Sequence, residues 1–144
     1  MPDATPHVRS LDYPIRVYYF DTDAGGVVHN AAYLRMIEQA RTELAHAMGW
    51  RLEEMRDSGL VPVVARTEID YLRPAVLGDE LLIKGRLAGM ERIRFFLEFE
   101  IIRIKDQQRL TICKQTMVTV QLPGGRPKPI PEVWVDSYPD LLLP

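Results

Sequence analysis

Asp21 and Asp23 stand two residues apart in the run DTDAGGVVHNAAY, followed by Gly25, Gly26, Val27, Val28, His29 and Asn30. A carboxylate can serve as a cation ligand, a base or a nucleophile, so its surroundings decide. As a calcium loop the run fails. With Asp21 at the first position, the fifth is Gly25, which has no side-chain oxygen, and the twelfth is Ala32, where a bidentate Glu is needed. An ordinary turn is a second reading, because Asp side chains bond backbone N–H groups two residues on. His29, likewise, can be a plain polar residue at a helix entry. The third reading is catalytic. Helical spacing begins at Asn30, and a helix N-terminus offers unpaired N–H groups and the positive end of the helix dipole. Gly25 and Gly26 lack a Cβ, so a ligand can come close to the backbone there. Asp23, seven residues before Asn30, would then face a carbonyl carbon whose oxygen is held by those N–H groups.

Thioesters suit such sparse equipment. Their carbonyl is weakly resonance-stabilised, and a thiolate leaves without strong acid help. No Ser-His-Asp arrangement competes: G-x-S-x-G is absent, and Ser10, Ser58 and Ser137 have no matching context.

The elements that must position these groups follow from periodicity. PIRVYYF (14–20) alternates and is rich in β-formers, predicting a strand that the glycines end. Tyr33, Ile37, Ala40, Leu44 and Met48 fall on one helical stripe, with Asn30 a suitable N-cap and Gly49 a C-terminal stop. A polar stretch, 51–59, follows. Alternation then predicts strands over 61–72, 79–89, 92–104 and 109–122, the last three joined by short turns into an antiparallel meander. The tail from Pro123 holds six of the 11 prolines. That predicts an extended, irregular arm, with Trp134 as an anchor. One strand, one long striped helix and a run of antiparallel strands give an α+β fold. A single helix cannot cover both faces of so wide a sheet, so the free face or an edge predicts a homo-oligomer.

Bulk properties narrow the function. The 144 residues predict one domain over 1–144, with 1–12 a loose lead-in and 123–144 the proline-rich arm. With 47% hydrophobic and 26% charged residues the chain has globular rather than disordered composition. A net charge of −2 and the lack of any Lys/Arg run argue against nucleic-acid binding. A single cysteine, Cys113, rules out an internal disulfide framework and a multi-Cys metal site, and reads as a small core residue. The absence of a signal-like apolar opening or a bilayer-length apolar run predicts a cytoplasmic protein with no membrane insertion.

The stretch VYYFDTDAGGVVHNAAYLRMIEQAR (17–41) resembles the signature of hotdog-fold acyl-CoA thioesterases of the 4-hydroxybenzoyl-CoA thioesterase type, and most of all their Tol-Pal-associated branch. The pattern is V-x-Y-x-D-T-D-x-x-G-x-V-[YH]-[HN]-x-x-Y, then a helix with E-x-A-R. The resemblance continues through PVVARTEIDYLRPAVLGDELLIKGRL (62–87), with its Y-x-x-P-A, and covers roughly residues 14–122. It implies an antiparallel sheet wrapped around a central helix, in dimers that often pair into tetramers. The implied activity is hydrolysis of an acyl-CoA or aryl-CoA thioester, with no metal and no cofactor beyond the CoA of the substrate. Asp23 takes the place of the nucleophile or general base, and the N–H at Asn30 polarises the carbonyl. Asp21, Gly25, Gly26, Val27, Val28 and Tyr33 shape or line the substrate site, Tyr33 through packing. In that branch a Tyr-His pair stands where this chain has His29-Asn30, so the family's His is displaced by one position. Arg66, Arg73, Arg92 and Arg94 are candidates for CoA phosphates, since Arg suits phosphate. Glu38 and Arg41 are three apart and able to pair. Two other readings keep the fold: a dehydratase or hydratase, which needs a His paired with an acid, and a non-hydrolytic acyl-CoA or acyl-carrier-protein binder.

Overall fold

A computed structural model describes residues 8–144. The chain runs β1 (Ser10–Arg16), α1 (Asn30–Ala47), α2 (Leu52–Ser58), β2 (Leu60–Tyr71), β3 (Glu80–Met90), β4 (Arg94–Arg103), β5 (Gln108–Gln121), β6 (Arg126–Pro127) and α3 (Glu132–Ser137). Short 3-10 turns lie at Tyr19–Asp21 and Pro139–Leu141. One antiparallel sheet has the order β1-β3-β4-β5-β2, and β6 adds to the far end of β5.

The sheet wraps α1 because β3 and β4 alternate buried apolar residues with outward ones, while the buried face of β5 mixes Cys113 and Met117 with Thr111, Gln115 and Thr119. Leu81, Ile83 and Leu87 of β3 and Phe95, Leu97, Phe99 and Ile101 of β4 are buried on one face. Tyr33, Met36, Ile37, Ala40, Leu44 and Met48 of α1 pack against them. Gly85 pairs with Phe99 across the ladder, and a Cβ there would lie 2.8 Å from the Phe99 ring. The missing side chain leaves that ring its place beneath the helix. The outer face carries cross-strand ion pairs instead, Arg86 with Glu98 at 2.5 Å and Arg109 with Glu100 at 2.9 Å. This is the α+β hotdog arrangement. Among the described residues no helix is long and apolar enough to cross a membrane.

Several boundaries differ from the sequence expectation. β1 begins at Ser10 and ends at Arg16, so the lead-in is shorter than 1–12 and the strand does not reach Phe20; residues 1–7 lie outside the described part. The strand stops because the Asp21 carboxylate accepts the Tyr18 N–H at 2.9 Å and folds YFD into a turn. The polar stretch 51–59 contains α2. Its first turn is held by Glu54, which accepts the Arg51 N–H at 3.2 Å, and by His46 Nε2, which accepts the Leu52 N–H at 3.1 Å. The tail is not wholly extended, since α3 follows Pro131, where a proline at the N-cap has no helical N–H to withhold. Trp134 of α3 is the anchor: it is buried and donates Nε1–H to the Met48 carbonyl at 2.9 Å. The N-cap of α1 is His29, not Asn30, because the extended backbone lasts one residue longer. Glu38 and Arg41 do not pair. Arg41 reaches inward instead, donating to Gln115 Oε1 of β5 at 2.8 Å.

Candidate active site

The DTDAGG run folds as a tight hairpin zipped to its surroundings. Thr22 bridges Val28, the Asp23 N–H donates to the Val27 carbonyl at 2.9 Å, and the Gly26 N–H donates to the Asp23 carbonyl at 3.0 Å. Gly26 closes the turn at φ +79°, a left-handed conformation open to glycine at little cost. Beyond it Val27 bridges Val76, and the Val28 N–H donates to the Ala75 carbonyl at 2.9 Å. The loop that precedes α1 is thereby fixed to the segment that follows β2.

The two aspartates have different tasks. Asp21 is 1% exposed, and its oxygens are taken by the Tyr18 N–H and the Arg35 guanidinium. Its carbonyl accepts the His29 N–H at 3.0 Å. Asp21 therefore sets the approach to the helix rather than touching a ligand. Asp23 is exposed, and Oδ1 accepts the Gly25 N–H at 2.8 Å, the Asx bond of the turn reading. Its other oxygen carries no hydrogen bond from the described residues.

At the start of α1, His29 is half-buried and makes no side-chain capping bond. The Ala32 N–H is satisfied by the His29 carbonyl at 3.0 Å, while the N–H groups of Asn30 and Ala31 find no backbone acceptor among the described residues. Asn30 borders a cleft of about 260 Å³ lined also by Val28, Tyr33, Tyr71, Leu72, Arg73 and Pro74. Tyr33 is buried, its hydroxyl accepting the Ala75 N–H at 3.0 Å, and burial pushes its phenol above the usual range. The Tyr71 ring lies 5.4 Å from that of Tyr33, and its hydroxyl donates to the Asn30 carbonyl at 3.3 Å.

Val28, Asn30 and Tyr33 thus share one cleft, and Asp23, Gly25, Gly26 and Val27 form the hairpin beside it. Within one protomer Asp23 does not line that cleft. The other arginines lie apart. Arg66 is exposed in mid-β2 near Glu68 at 3.6 Å, and Arg94 is 3.6 Å from Glu91. Arg94 and Ile101 are seven residues apart on β4, roughly 23 Å at strand rise, and it is the Ile101 row, through Thr111, that meets Tyr71. Arg92 is exposed at the Arg94 end. Tyr71, Leu72 and Pro74 were not among the residues assigned to the site from sequence, although Y-x-x-P-A marks three of the five positions in that run. Among the described residues no cluster of His, Cys, Asp or Glu has metal-binding geometry.

Known proteins agree with this architecture. Residues 18–137 match the family described as the thioesterase-like superfamily. An acyl-CoA thioesterase, YbgC of Haemophilus influenzae, is 32% identical over 85% of this chain and 88% of its own. The acyl-CoA thioester hydrolase YbgC of Escherichia coli is 38% identical over 70% of this chain and 79% of its own. The crystal structure of a 1,4-dihydroxy-2-naphthoyl-CoA thioesterase from Synechocystis superposes with a TM-score of 0.81 at 26% identity, covering 92% of this chain and 97% of that one. The chain belongs to the thioesterase-like superfamily and has its hotdog fold.

Proposed function

We propose that this protein hydrolyses acyl-CoA or aryl-CoA thioesters to the free acid and CoA. The observation that carries the reading is the zipped hairpin, which fixes a carboxylate with one unbonded oxygen beside a helix whose first N–H groups have no backbone acceptor. The thioester oxygen would accept from the N–H groups at Asn30 and Ala31, where the helix dipole favours developing negative charge. Asp23 would act on the carbonyl carbon in one of two ways. As a base it takes a proton from water, the resulting hydroxide adds to the carbonyl, and the tetrahedral intermediate expels CoA thiolate. As a nucleophile it adds directly, expels the thiolate and leaves an anhydride for water to cleave. Either way the thiolate collects a proton from solvent. His29, half-buried at the N-cap, would orient the first turn, and Arg66, Arg92 and Arg94 are the reserve of charge for CoA phosphates.

The assembly would be a homodimer, or a pair of such dimers. β2 is a 12-residue edge strand with Val63 and Val64 exposed, and its Tyr71 end borders the cleft. A second copy along that edge would cover the Asp23 hairpin and shut out water.

CoA release from a broad acyl- and aryl-CoA panel tests the reading. Wild type should turn over some members, and Asp23→Asn should lose roughly 10²- to 10⁴-fold in kcat/KM, the usual range for a positioned acid or base. Equal, negligible release by both proteins would instead favour a non-hydrolytic binder.

A further inference from the structure

Arg73 stands out among the cations near the cleft. It lines the cleft with Asn30 and Tyr71, is exposed, and forms no ion pair with any described residue. Two carboxylates close to this segment are already engaged, while Asp70, three residues upstream, is exposed. Asp79 and Asp106 lie 3.5 and 3.1 Å from the Arg103 guanidinium, which also donates to the Pro74 carbonyl at 3.3 Å. The backbone beneath Arg73 is pinned from three sides. The Leu72 and Arg73 N–H groups both donate to the Leu110 carbonyl of β5, at 2.8 and 3.2 Å. The Ala75 N–H donates to Tyr33 of α1, and the Ala75 carbonyl accepts from Val28 of the hairpin loop. Pro74 removes further freedom between these anchors. So fixed a backbone sets where the Arg73 side chain starts, and only its own torsions remain to be ordered when a ligand binds.

The position also restricts what Arg73 can meet. It lines one small cleft together with Asn30, whose N–H would help hold the reacting carbonyl. The pantetheine arm of CoA is an uncharged chain, and its nearest phosphate lies a full arm's length from the sulfur. A negative group next to the carbonyl therefore belongs to the acyl side.

We propose that Arg73 is a specificity-determining residue that binds a carboxylate carried by the acyl group a few bonds from the thioester carbonyl. This rests on the hydrolase reading above. The preferred substrates are then short acyl- or aryl-CoA thioesters bearing such a carboxylate, rather than their plain hydrocarbon analogues. The guanidinium meets a carboxylate with two parallel N–H donors, a geometry an ammonium cannot reproduce.

Matched pairs test this: succinyl-CoA against butyryl-CoA, and malonyl-CoA against propionyl-CoA, on wild type, Arg73→Leu and Arg73→Lys, with melting temperatures to confirm folding. Wild type should favour the carboxylate-bearing member of at least one pair by roughly ten- to hundredfold in kcat/KM, the range expected for a charge-assisted hydrogen bond. Arg73→Leu should abolish that preference, lowering kcat/KM for the carboxylate-bearing member more than for its plain partner, and Arg73→Lys should restore part of it. Equal turnover of both members of both pairs by wild type overturns the proposal. So does an Arg73→Leu defect that is uniform across CoA substrates and vanishes with acyl-pantetheine, because that pattern marks a phosphate contact. If wild type cleaves no thioester at all, the hydrolase reading itself falls, an outcome distinct from cleavage without preference.

Discussion

The two ends of α1 are built in opposite ways. At its C-terminal end the carbonyls of Leu44, Ala45, His46 and Met48 all find partners beyond the regular helix. The Met48 N–H donates to the Leu44 carbonyl at 2.9 Å, the Trp50 N–H to Ala45 at 2.8 Å, and the Met48 carbonyl accepts from the Trp134 indole. Trp134 meets Trp50 and Phe95 edge to face, with centroids 5.3 and 5.0 Å apart. The space left among them is about 20 Å³, near the size of one water, against 260 Å³ at the other end. The N-terminal end keeps unbonded amides, an exposed carboxylate and an open cleft. One end holds the helix in place so that the other can leave its polar groups free.

Substitutions at the two ends should therefore fail differently. Asp23→Asn removes charge from an exposed loop with no ion pair, so the activity loss given above should come with a stability change within about 0.5 kcal/mol, measured by urea unfolding. A large drop in stability would show that the hairpin needs the charge for its fold. Trp134→Ala should do the reverse. It empties an aromatic site and orphans the Met48 carbonyl, costing about 3–5 kcal/mol, while the folded fraction keeps its kcat at low temperature. Loss of kcat in protein that remains folded would mean the two ends are coupled.

Between the ends lies Gly85. Alanine there must share space with the Phe99 ring at 2.8 Å and approach Leu44 at 3.8 Å. Overpacking of this kind costs about 1–3 kcal/mol. The expected readout is a lower urea midpoint at unchanged slope, and recovery in a double variant with Phe99→Leu. Additive losses in the double variant would rule out the ring as the cause.

The same contrast explains what the sequence made legible. The stripe Tyr33-Ile37-Ala40-Leu44-Met48 and the alternation in β3 and β4 report burial directly, so these elements could be read from period alone, whereas β5 buries Thr111, Gln115 and Thr119 and turns Ile112 and Val118 outward. The helix start was legible to within one residue, with His29 rather than Asn30 at the N-cap, since its signals are local. Elements fixed by single long-range bonds were not. α2 depends on a histidine six residues upstream, and α3 sits in a proline-rich tail because Trp134 finds a carbonyl 86 residues away. The second wall of the cleft, Tyr71 to Pro74, joins the first through long-range bonds, from Tyr71 to Asn30 and from Ala75 to Tyr33 and Val28. A pattern confined to one segment does not announce such pairings.

The smallest expected effect concerns Cys113, on β5 midway between the two ends. It is 1% exposed, and burial pushes its thiol up to about 11, with the nearby Arg41 guanidinium acting weakly the other way. In the unfolded chain the thiol titrates near 9, so between pH 9 and 11 the unfolded state loses the proton first. Linkage then has a definite sign: this group's contribution to stability is complete below pH 9 and shrinks as pH rises towards 11. Cys113→Ala, despite a lower stability at neutral pH, should show a shallower decline over that alkaline window. In the native wild type at pH 8 the thiol should react with a disulfide reagent only through opening of the sheet, at a rate that rises with urea. Rapid modification without denaturant would place Cys113 in contact with water and remove the packed middle that keeps the two ends of α1 apart in function.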